Sequence, residues 1–260
     1  MLDMYVITHK KIEDKRIPKN RKMLLVGSYN KEERFGYLCD DEDDNISDKN
    51  PYFCELTGLY AMWKHSTSSH ISLEHYRRLF SNGKINFLHY KIISKEKMEN
   101  LMMKYDLVLP HKQCWPKYKS LMEQYANEHI EEDILALEKI VLSKYPAFEF
   151  AWNQVMYLQN YCYPYNMFVG KKEMIDEYCS FLFDVLFELE KQINVNDGRD
   201  AYQKRVFGFL SERLFNVWLC FKGNLKIKEL NVATLGDKPI KDFVRRAYRK
   251  VYWRSHGFKG

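Results

Sequence analysis

HISLEHYRRLF, residues 70–80, opens as a β-prone run and closes on four adjacent polar side chains, His75, Tyr76, Arg77 and Arg78. A strand that ends this way delivers imidazole, phenol and two guanidiniums to the crevice where open α/β sheets bind ligands. Paired arginines present planar forks that match phosphate oxygens. Successive strand residues point to opposite faces, so His75 and Arg77 are expected on one face and Tyr76 and Arg78 on the other. The same stretch also reads as an ordinary strand end with solvated arginines.

The chain around it alternates short apolar runs with helical periodicity, an α/β pattern. Strands are expected at Met4–Thr8, Lys22–Val26, Tyr105–Pro110 and Tyr161–Val169, the last carrying Asn166. Asn50 and Pro51 suit an N-cap and first helical position, and Leu56, Leu59, Tyr60 and Trp63 follow at helical spacing. Ser94 caps a short helix, with Ile93 and Met98 spaced as a hydrophobic staple. One long helix is expected over Lys119–Ser143, with Tyr125, His129 and Asp133 recurring every four residues on one flank. That ladder reads either as surface or as a cleft wall. Lys171–Lys191 and Phe207–Leu219 complete the helices, and the second places Glu212 and Arg213 among large apolar residues. A buried Glu and Arg require pairing, so a structural ion pair is one reading of them.

Four blocks in this order carry a resemblance: SDKNPYFCELTGLYAMWKH (47–65), HYRR (75–78), YNMFVGKKEMIDEYCSFLFDVL (165–186) and FGFLSERLFNVWL (207–219). Together they resemble a bacterial family once known only as a domain of unknown function. It is found among capsular and exopolysaccharide synthesis proteins, and its members are regarded as GT-A glycosyltransferases. The resemblance spans roughly residues 4–220. It implies a single α/β domain of GT-A type over residues 1–239, with a mixed, mostly parallel sheet flanked by helices. It also implies transfer of a hexose, galactose as pyranose or furanose, from a UDP-sugar to a hydroxyl of a growing lipid-linked glycan.

Site expectations follow residue by residue. In nucleotide-sugar folds the loop after the first strand meets the base, which marks Thr8, His9 and Lys10. The resemblance adds Asn45, Ser47 and Asn50 before the next helix and Glu55 on it as donor-binding. His75, Tyr76, Arg77 and Arg78 are expected at the donor diphosphate, where charge develops as it departs. Base catalysis needs a carboxylate or His within reach of the acceptor hydroxyl. Glu212 is the first candidate, and Asp133 supported by His129 the second. Tyr125, Asn166 and Arg213 are expected at the acceptor or sugar. Glu74 departs from the small or apolar residue expected in relatives, which leaves a metal-binding role for it open.

A divalent cation, Mn or Mg, accompanies many GT-A enzymes on a D-x-D motif. Here Asp40–Asp44 is five acids in a row and contains Asp41-Glu42-Asp43. It precedes the candidate nucleotide-binding helix instead of ending a mid-domain strand, and it reads first as a self-repelling solvated loop and only second as a metal site. The metal site is therefore not assigned.

Bulk properties bound the rest. No run approaches the ~20 apolar residues that span a bilayer, and MLDMYVITHKK reads as a strand instead of a signal peptide. Six scattered cysteines without a C-x-x-C pair read as reduced thiols of a cytoplasmic protein. The formal charge of +6 is concentrated at the end of the chain. Ile240–Arg254 carries six cations against Asp242, and Lys259 adds one, so residues 1–239 are formally neutral. A neutral body argues against a nucleic-acid surface. In IKDFVRRAYRKVYWR, Ile240, Phe243, Val244, Ala247, Tyr248, Val251 and Tyr252 form one helical apolar stripe opposite the cations. The tail 240–260 is thus expected to hold a basic amphipathic helix, lying on the anionic inner leaflet or docked on its own domain. Two rivals stand beside sugar transfer: a sugar-phosphate or nucleotidyl transferase, and a non-catalytic membrane-binding protein.

Overall fold

A computed structural model of the chain describes residues 1–86 and 89–235. The tail expected at 240–260 lies outside the described residues.

Among the described residues eleven strands occur in the order β1 (Leu2–Thr8), β2 (Lys22–Leu25), β3 (Leu38–Cys39), β4 (His70–His75), β5 (Arg78–Asn86), β6 (His89–Ile92), β7 (Leu107–Pro110), β8 (Gln113–Cys114), β9 (Tyr161–Cys162), β10 (Phe168–Lys171) and β11 (Ile227–Thr234). The helices are α1 (Asn50–Phe53), α2 (Leu56–His65), α3 (Lys95–Met102), α4 (Leu121–Glu128), α5 (Glu131–Lys144), α6 (Glu149–Trp152), α7 (Lys172–Glu190) and α8 (Val206–Lys222). Nine strands form one sheet in the order β3-β2-β1-β4-β10-β7-β11-β5-β6, and β8 and β9 make a separate ribbon.

The α/β class holds. The sheet is mixed, with seven of its nine described strands pointing one way and β10 and β5 the other. β1, β2, β3 and β4 run parallel, as do β7 and β11, whereas β10 is antiparallel to both its neighbours and β5 is antiparallel to β11, β6 and β4. The β4–β5 contact is a single pair, His75 opposite Arg78, and it joins strands that lie four places apart along the sheet.

Strand alternation sorts β1 onto two faces. Tyr5 and Ile7 enter the large core with α2, α7 and α8, while Leu2 and Met4 meet Met98 and Met102 of α3. Each fully buried side chain of this kind contributes ~1.5–3 kcal/mol. Gly58 lets α2 close down on the sheet, because a Cβ there would stand 2.8 Å from both Ile7 and Val26. α8 is buried nearly all round, with Phe207, Leu210, Leu214, Phe215, Val217 and Trp218 inside, so it is a central helix. The Ser94 cap is made as expected, its side chain accepting from the Lys97 N–H, and Ile93 and Met98 share one cluster.

Two expected helices are broken. The segment from Asn50 stops at Cys54, whose φ of 51° lies in the left-handed region, and restarts at Leu56. Asn50 is the first helical residue instead of the cap, and its amide donates to the Cys54 carbonyl at 2.7 Å. The expected 119–143 helix divides at His129, which is extended (φ −137°, ψ −175°), into α4 and α5. Tyr125, His129 and Asp133 therefore do not form a ladder on one helix. Tyr161–Val169 is likewise not one strand, since β9 ends at Cys162 and Asn166 sits in a loop before β10.

Candidate functional site

The HYRR segment is a corner, not a strand end. β4 stops at His75, Tyr76 and Arg77 make the turn, and β5 begins at Arg78. The expected alternation fails for that reason. His75 and Arg78 stand opposite each other and reach the same residue, Tyr165, while Tyr76 and Arg77 face the loop after β1. His75 Nε2 lies 2.7 Å from the Tyr165 carbonyl oxygen, and the Arg78 guanidinium lies 4.3 Å over the Tyr165 ring. A carbonyl only accepts, so Nε2 carries the proton of His75. Burial holds this imidazole below its ordinary pKa, against the nearby charge of Glu55.

On the other side, the ring of Tyr76 collects cations. The His9 ring meets it edge-on at 5.2 Å, Lys10 Nζ lies 5.5 Å from its centre and the Arg77 guanidinium 5.0 Å. Thr8 folds this loop, its hydroxyl donating to the Lys10 carbonyl at 2.7 Å. Burial and the charges of Lys10, Lys31 and Arg77 all push the His9 pKa down. Neutral His9 inside a ring of cations makes this edge of the sheet electropositive, and Arg77 and Arg78 are both exposed on it. The structure thus brings Thr8, His9, Lys10, Tyr76 and Arg77 together at the ends of the parallel strands.

The second half of the cluster is carboxylate. Glu212 on α8 accepts the Tyr165 N–H at 2.9 Å through Oε1. Its Oε2 lies 3.4 Å from Arg213 Nη1, and 21% of the side chain is accessible. Arg213 is committed elsewhere, donating to Gln124 and, at 3.0 Å, to the Phe209 carbonyl. Burial pushes the Glu212 pKa above the ordinary range; Arg213 pulls it back, and Glu55 adds to the rise. Glu55 is linked to the same place, because Asn166 Nδ2 donates to it at 2.7 Å and also to the Ser211 hydroxyl at 2.8 Å. Tyr165 (φ 75°) and Asn166 (φ 51°) are both left-handed, and Cys54, next to Glu55, is as well. Three such residues around one pair of glutamates mark it, since each costs ~1–3 kcal/mol and survives only where its surroundings determine it.

Three acids of the run, Asp40, Asp41 and Asp44, are held by protein partners. Asp40 is fully buried and accepts the Gly27 N–H at 2.8 Å, the Ser28 N–H at 3.0 Å, and the hydroxyls of Ser28, Ser47 and Thr57. Asp41 pairs with Arg34 at 2.7 Å and Asp44 with Lys64 at 3.0 Å. Asn45 and Ser47 brace this loop, Ser47 Oγ accepting the Tyr29 N–H at 3.0 Å, and Asn50 bonds Thr57. Among the described residues no group of three His, Cys, Asp or Glu side chains is placed to hold a metal ion. The open question at Glu74 closes the same way: both its oxygens are taken, Oε2 by Arg21 at 2.6 Å and Oε1 by the Phe80 N–H at 2.8 Å, with both side chains fully buried.

The profile of a family described as a domain of unknown function, DUF4422, matches residues 3–223. The chain belongs to the DUF4422 family. Its fold is similar to the apo structure of the bifunctional glycosyltransferase WbbM, with a TM-score of 0.78 and 28% identity. The match covers 91% of this chain and 45% of that one, so the chain spans less than half the length of the protein it resembles. No curated protein matches it. The family match includes every residue of the cluster above and stops before β11.

The remaining expected site residues lie apart from that cluster. Asp133 is held by Arg199 at 2.5 and 2.6 Å, with 3% and 8% of the two side chains accessible. His129 turns instead to Gln203 at 3.3 Å and stacks on Phe209, with its pKa lowered by burial to about 4. The expected support of Asp133 by His129 is not made. Tyr125 is fully buried beneath Arg213, 5.3 Å from ring centre to guanidinium. Two residues of the cluster carried no signal in the reading of the chain as sequence. Tyr165 lies one residue before Asn166 in the quoted YNMF block, yet nothing in an aromatic announces a left-handed backbone. Arg205, which donates to the Cys54 sulfur at 3.3 Å, lies far from Cys54 in the chain.

Proposed function

We propose that this DUF4422 chain is a GT-A-type glycosyltransferase that moves a hexosyl group, galactose in pyranose or furanose form, from a UDP-sugar to a hydroxyl of a growing lipid-linked surface glycan. One observation carries the reading: Tyr165 joins the carboxylate of Glu212, whose Oε2 makes a long 3.4 Å contact with Arg213 Nη1, to the exposed cation Arg78. The acceptor hydroxyl attacks the anomeric carbon as its proton passes to Glu212 Oε2. The bond from that carbon to the diphosphate breaks, and the electron pair leaves with UDP. Arg77, Arg78 and Lys10 offset the charge that accumulates there. Thr8 and His9 border the nucleotide, and Asn45, Ser47 and Asn50 hold the loop that faces it. A glycosyltransferase fold in the WbbM relative supports the reading.

A scan of nucleotide sugars for UDP release, with and without Mn²⁺, tests it. UDP with transferred hexose is the expected product. UMP or pyrophosphate would point to the sugar-phosphate or nucleotidyl transferase instead, and activity under chelation would exclude a required cation.

The basic stripe at 240–254 would bring the enzyme to its acceptor at the inner face of the membrane, each cation adding ~1 kcal/mol on an anionic leaflet. Among the described residues no helix is long and apolar enough to cross a bilayer. Truncation after Pro239 should abolish sedimentation with anionic liposomes and leave release of UDP in solution largely intact. Unfolding of the truncated protein would assign the tail to the core.

A further inference from the structure

The residue the two halves of the site share is Tyr165. It is tied on every side. Its carbonyl accepts from His75 Nε2 at 2.7 Å, its N–H donates to Glu212 Oε1 at 2.9 Å, and its ring lies 4.3 Å under the Arg78 guanidinium. Its hydroxyl donates to Gln113 at 3.4 Å. The next residue, Asn166, is fixed by Glu55 and Ser211. β4, β5, α8 and the loop before α2 thus all hold two consecutive left-handed residues.

A φ of 75° suits glycine, and a large aromatic occupies it only where its side chain is used. Asn166 is the ordinary kind of left-handed residue; Tyr165 is not. Here the ring carries Arg78, while the backbone on either side of the same Cα carries a histidine and a glutamate. His75 cannot also serve as a diphosphate ligand through Nε2, because that proton is spent on the carbonyl.

We propose that Tyr165 is the positioning residue of the transfer and His75 its anchor. With the carbonyl pinned by His75, the N–H orients Glu212 so that Oε2 is the oxygen that takes the proton, and the ring sets Arg78 against the donor. This rests on the glycosyl-transfer reading and adds to it a division of labour. His75 acts on the base through the backbone of Tyr165, not on the leaving group.

The test compares His75→Phe and Tyr165→Gly with wild type in the full chain, by UDP release against pH and by donor KM. Tyr165→Gly keeps the backbone angle and loses the platform, so donor KM should rise about tenfold or more, the scale of a charge-assisted contact. In His75→Phe the N–H no longer holds the Glu212 carboxylate, and a bond to the charged form that is lost raises a pKa. The acid limb of its kcat profile should therefore move to higher pH with donor KM little changed. A His75→Phe profile that keeps the wild-type limb, or a Tyr165→Gly enzyme with wild-type KM, overturns the proposal. Should His75→Phe not fold, His75→Leu supplies the enzyme without the donor; in His75→Gln the amide can donate to the carbonyl, so its limb should lie nearer wild type, and a limb displaced as far as in the donor-free enzyme would count against the anchor. Wild-type protein that releases no UDP from any nucleotide sugar refutes the glycosyl-transfer reading itself, whereas active wild type with unchanged variants refutes only the clamp.

Discussion

Glu74, fully buried, and Glu212, half-buried, are glutamates beside an arginine, and burial pushes both above the ordinary carboxylate pKa. They differ in what happens to their oxygens. Glu74 gives one to Arg21 at 2.6 Å and the other to the Phe80 N–H at 2.8 Å, and no part of the side chain is accessible. Glu212 gives one to Tyr165 and leaves the other 3.4 Å from an arginine whose strong bonds go elsewhere. A raised pKa alone therefore does not separate the two sites. The count of satisfied lone pairs does, because a closed shell has no capacity to take a proton and an open one has.

The largest effect should come from breaking the closed pair. Glu74→Gln leaves the Arg21 guanidinium buried without a counter-charge, and a guanidinium cannot shed its proton. Stability should fall by ~3–5 kcal/mol in urea unfolding. Arg21→Met should cost less, because a lone Glu74 relieves itself by protonating. The double replacement Arg21→Met with Glu74→Leu should recover most of the loss and, if Glu74 is structural alone, UDP release as well. A stable but inactive double variant would move Glu74 into the chemistry.

At Glu212 the order reverses, with function lost and stability kept. Glu212→Gln should lower turnover ~100-fold or more. The sign of its effect on stability follows from the direction of the pKa. A folded-state pKa raised above the unfolded value gives a contribution that is complete below the unfolded pKa and lost as pH rises through the folded one. Gln fixes the neutral form, so at neutral pH the melting temperature should hold or rise. A sharp fall in melting temperature with activity per folded molecule intact would place Glu212 beside Glu74 as a structural residue.

The same contrast explains what could be read from the chain. Strands β1, β2, β4 and β7 and helices α7 and α8 are legible because their apolar residues recur at periods of 2 and 3.6, whereas β3, β6 and β11 carry no such signal. Glu212 and the arginines of HYRR could be picked out because charge among apolar neighbours is itself a signal. Partners were not legible: Arg21 reaches Glu74 across 53 residues and Arg199 reaches Asp133 across 66, and no local pattern encodes such pairs. Nor were the breaks. Cys54 takes a left-handed backbone and Tyr76–Arg77 turns a corner without the Gly, Asn or Pro that announces a turn. His129 interrupts a helix whose apolar spacing runs straight through it. Each break is imposed by packing, and two of them, at Cys54 and at the Tyr76–Arg77 corner, set residues of the cluster in place.

Between the two glutamates lie the arginines, and a third comparison divides them. Arg78 rests on the strained Tyr165 and Arg77 on Tyr76 at the electropositive loop. Both are exposed, so Arg77→Ala and Arg78→Ala should fold with little loss of stability. At least one should lose ~2 kcal/mol or more of UDP-sugar affinity, about 30-fold, by calorimetry. Arg78→Ala should also lower turnover, because its contact runs through the residue that holds Glu212. Wild-type UDP affinity in both variants would remove the diphosphate from this corner.

The smallest effect is the most specific to the open carboxylate. Glu55 is linked to Glu212 through Asn166 and its chain neighbour Tyr165, and its negative charge is one cause of the raised Glu212 pKa. Glu55→Gln keeps an oxygen to accept the Asn166 amide and removes only the charge. A like charge disfavours ionisation, so its loss should lower the Glu212 pKa and move the acid limb of the rate profile to lower pH. His75 should respond in the same direction, since Glu55 is what favours its protonated form; it then stays neutral over a wider range, and the Nε2 proton on the Tyr165 carbonyl is undisturbed. The plateau rate at neutral pH should change little, because a weaker base is offset by a fuller ionised population. The measurement is UDP release from pH 4 to 8 at saturating donor, beside the Glu74→Gln enzyme in the same buffers. A limb that moves in Glu55→Gln and stays fixed in whatever Glu74→Gln enzyme remains folded assigns the titration to Glu212. A limb that does not move in Glu55→Gln means that the group controlling the rate lies beyond the reach of Glu55, and Glu212 would lose its role as the base.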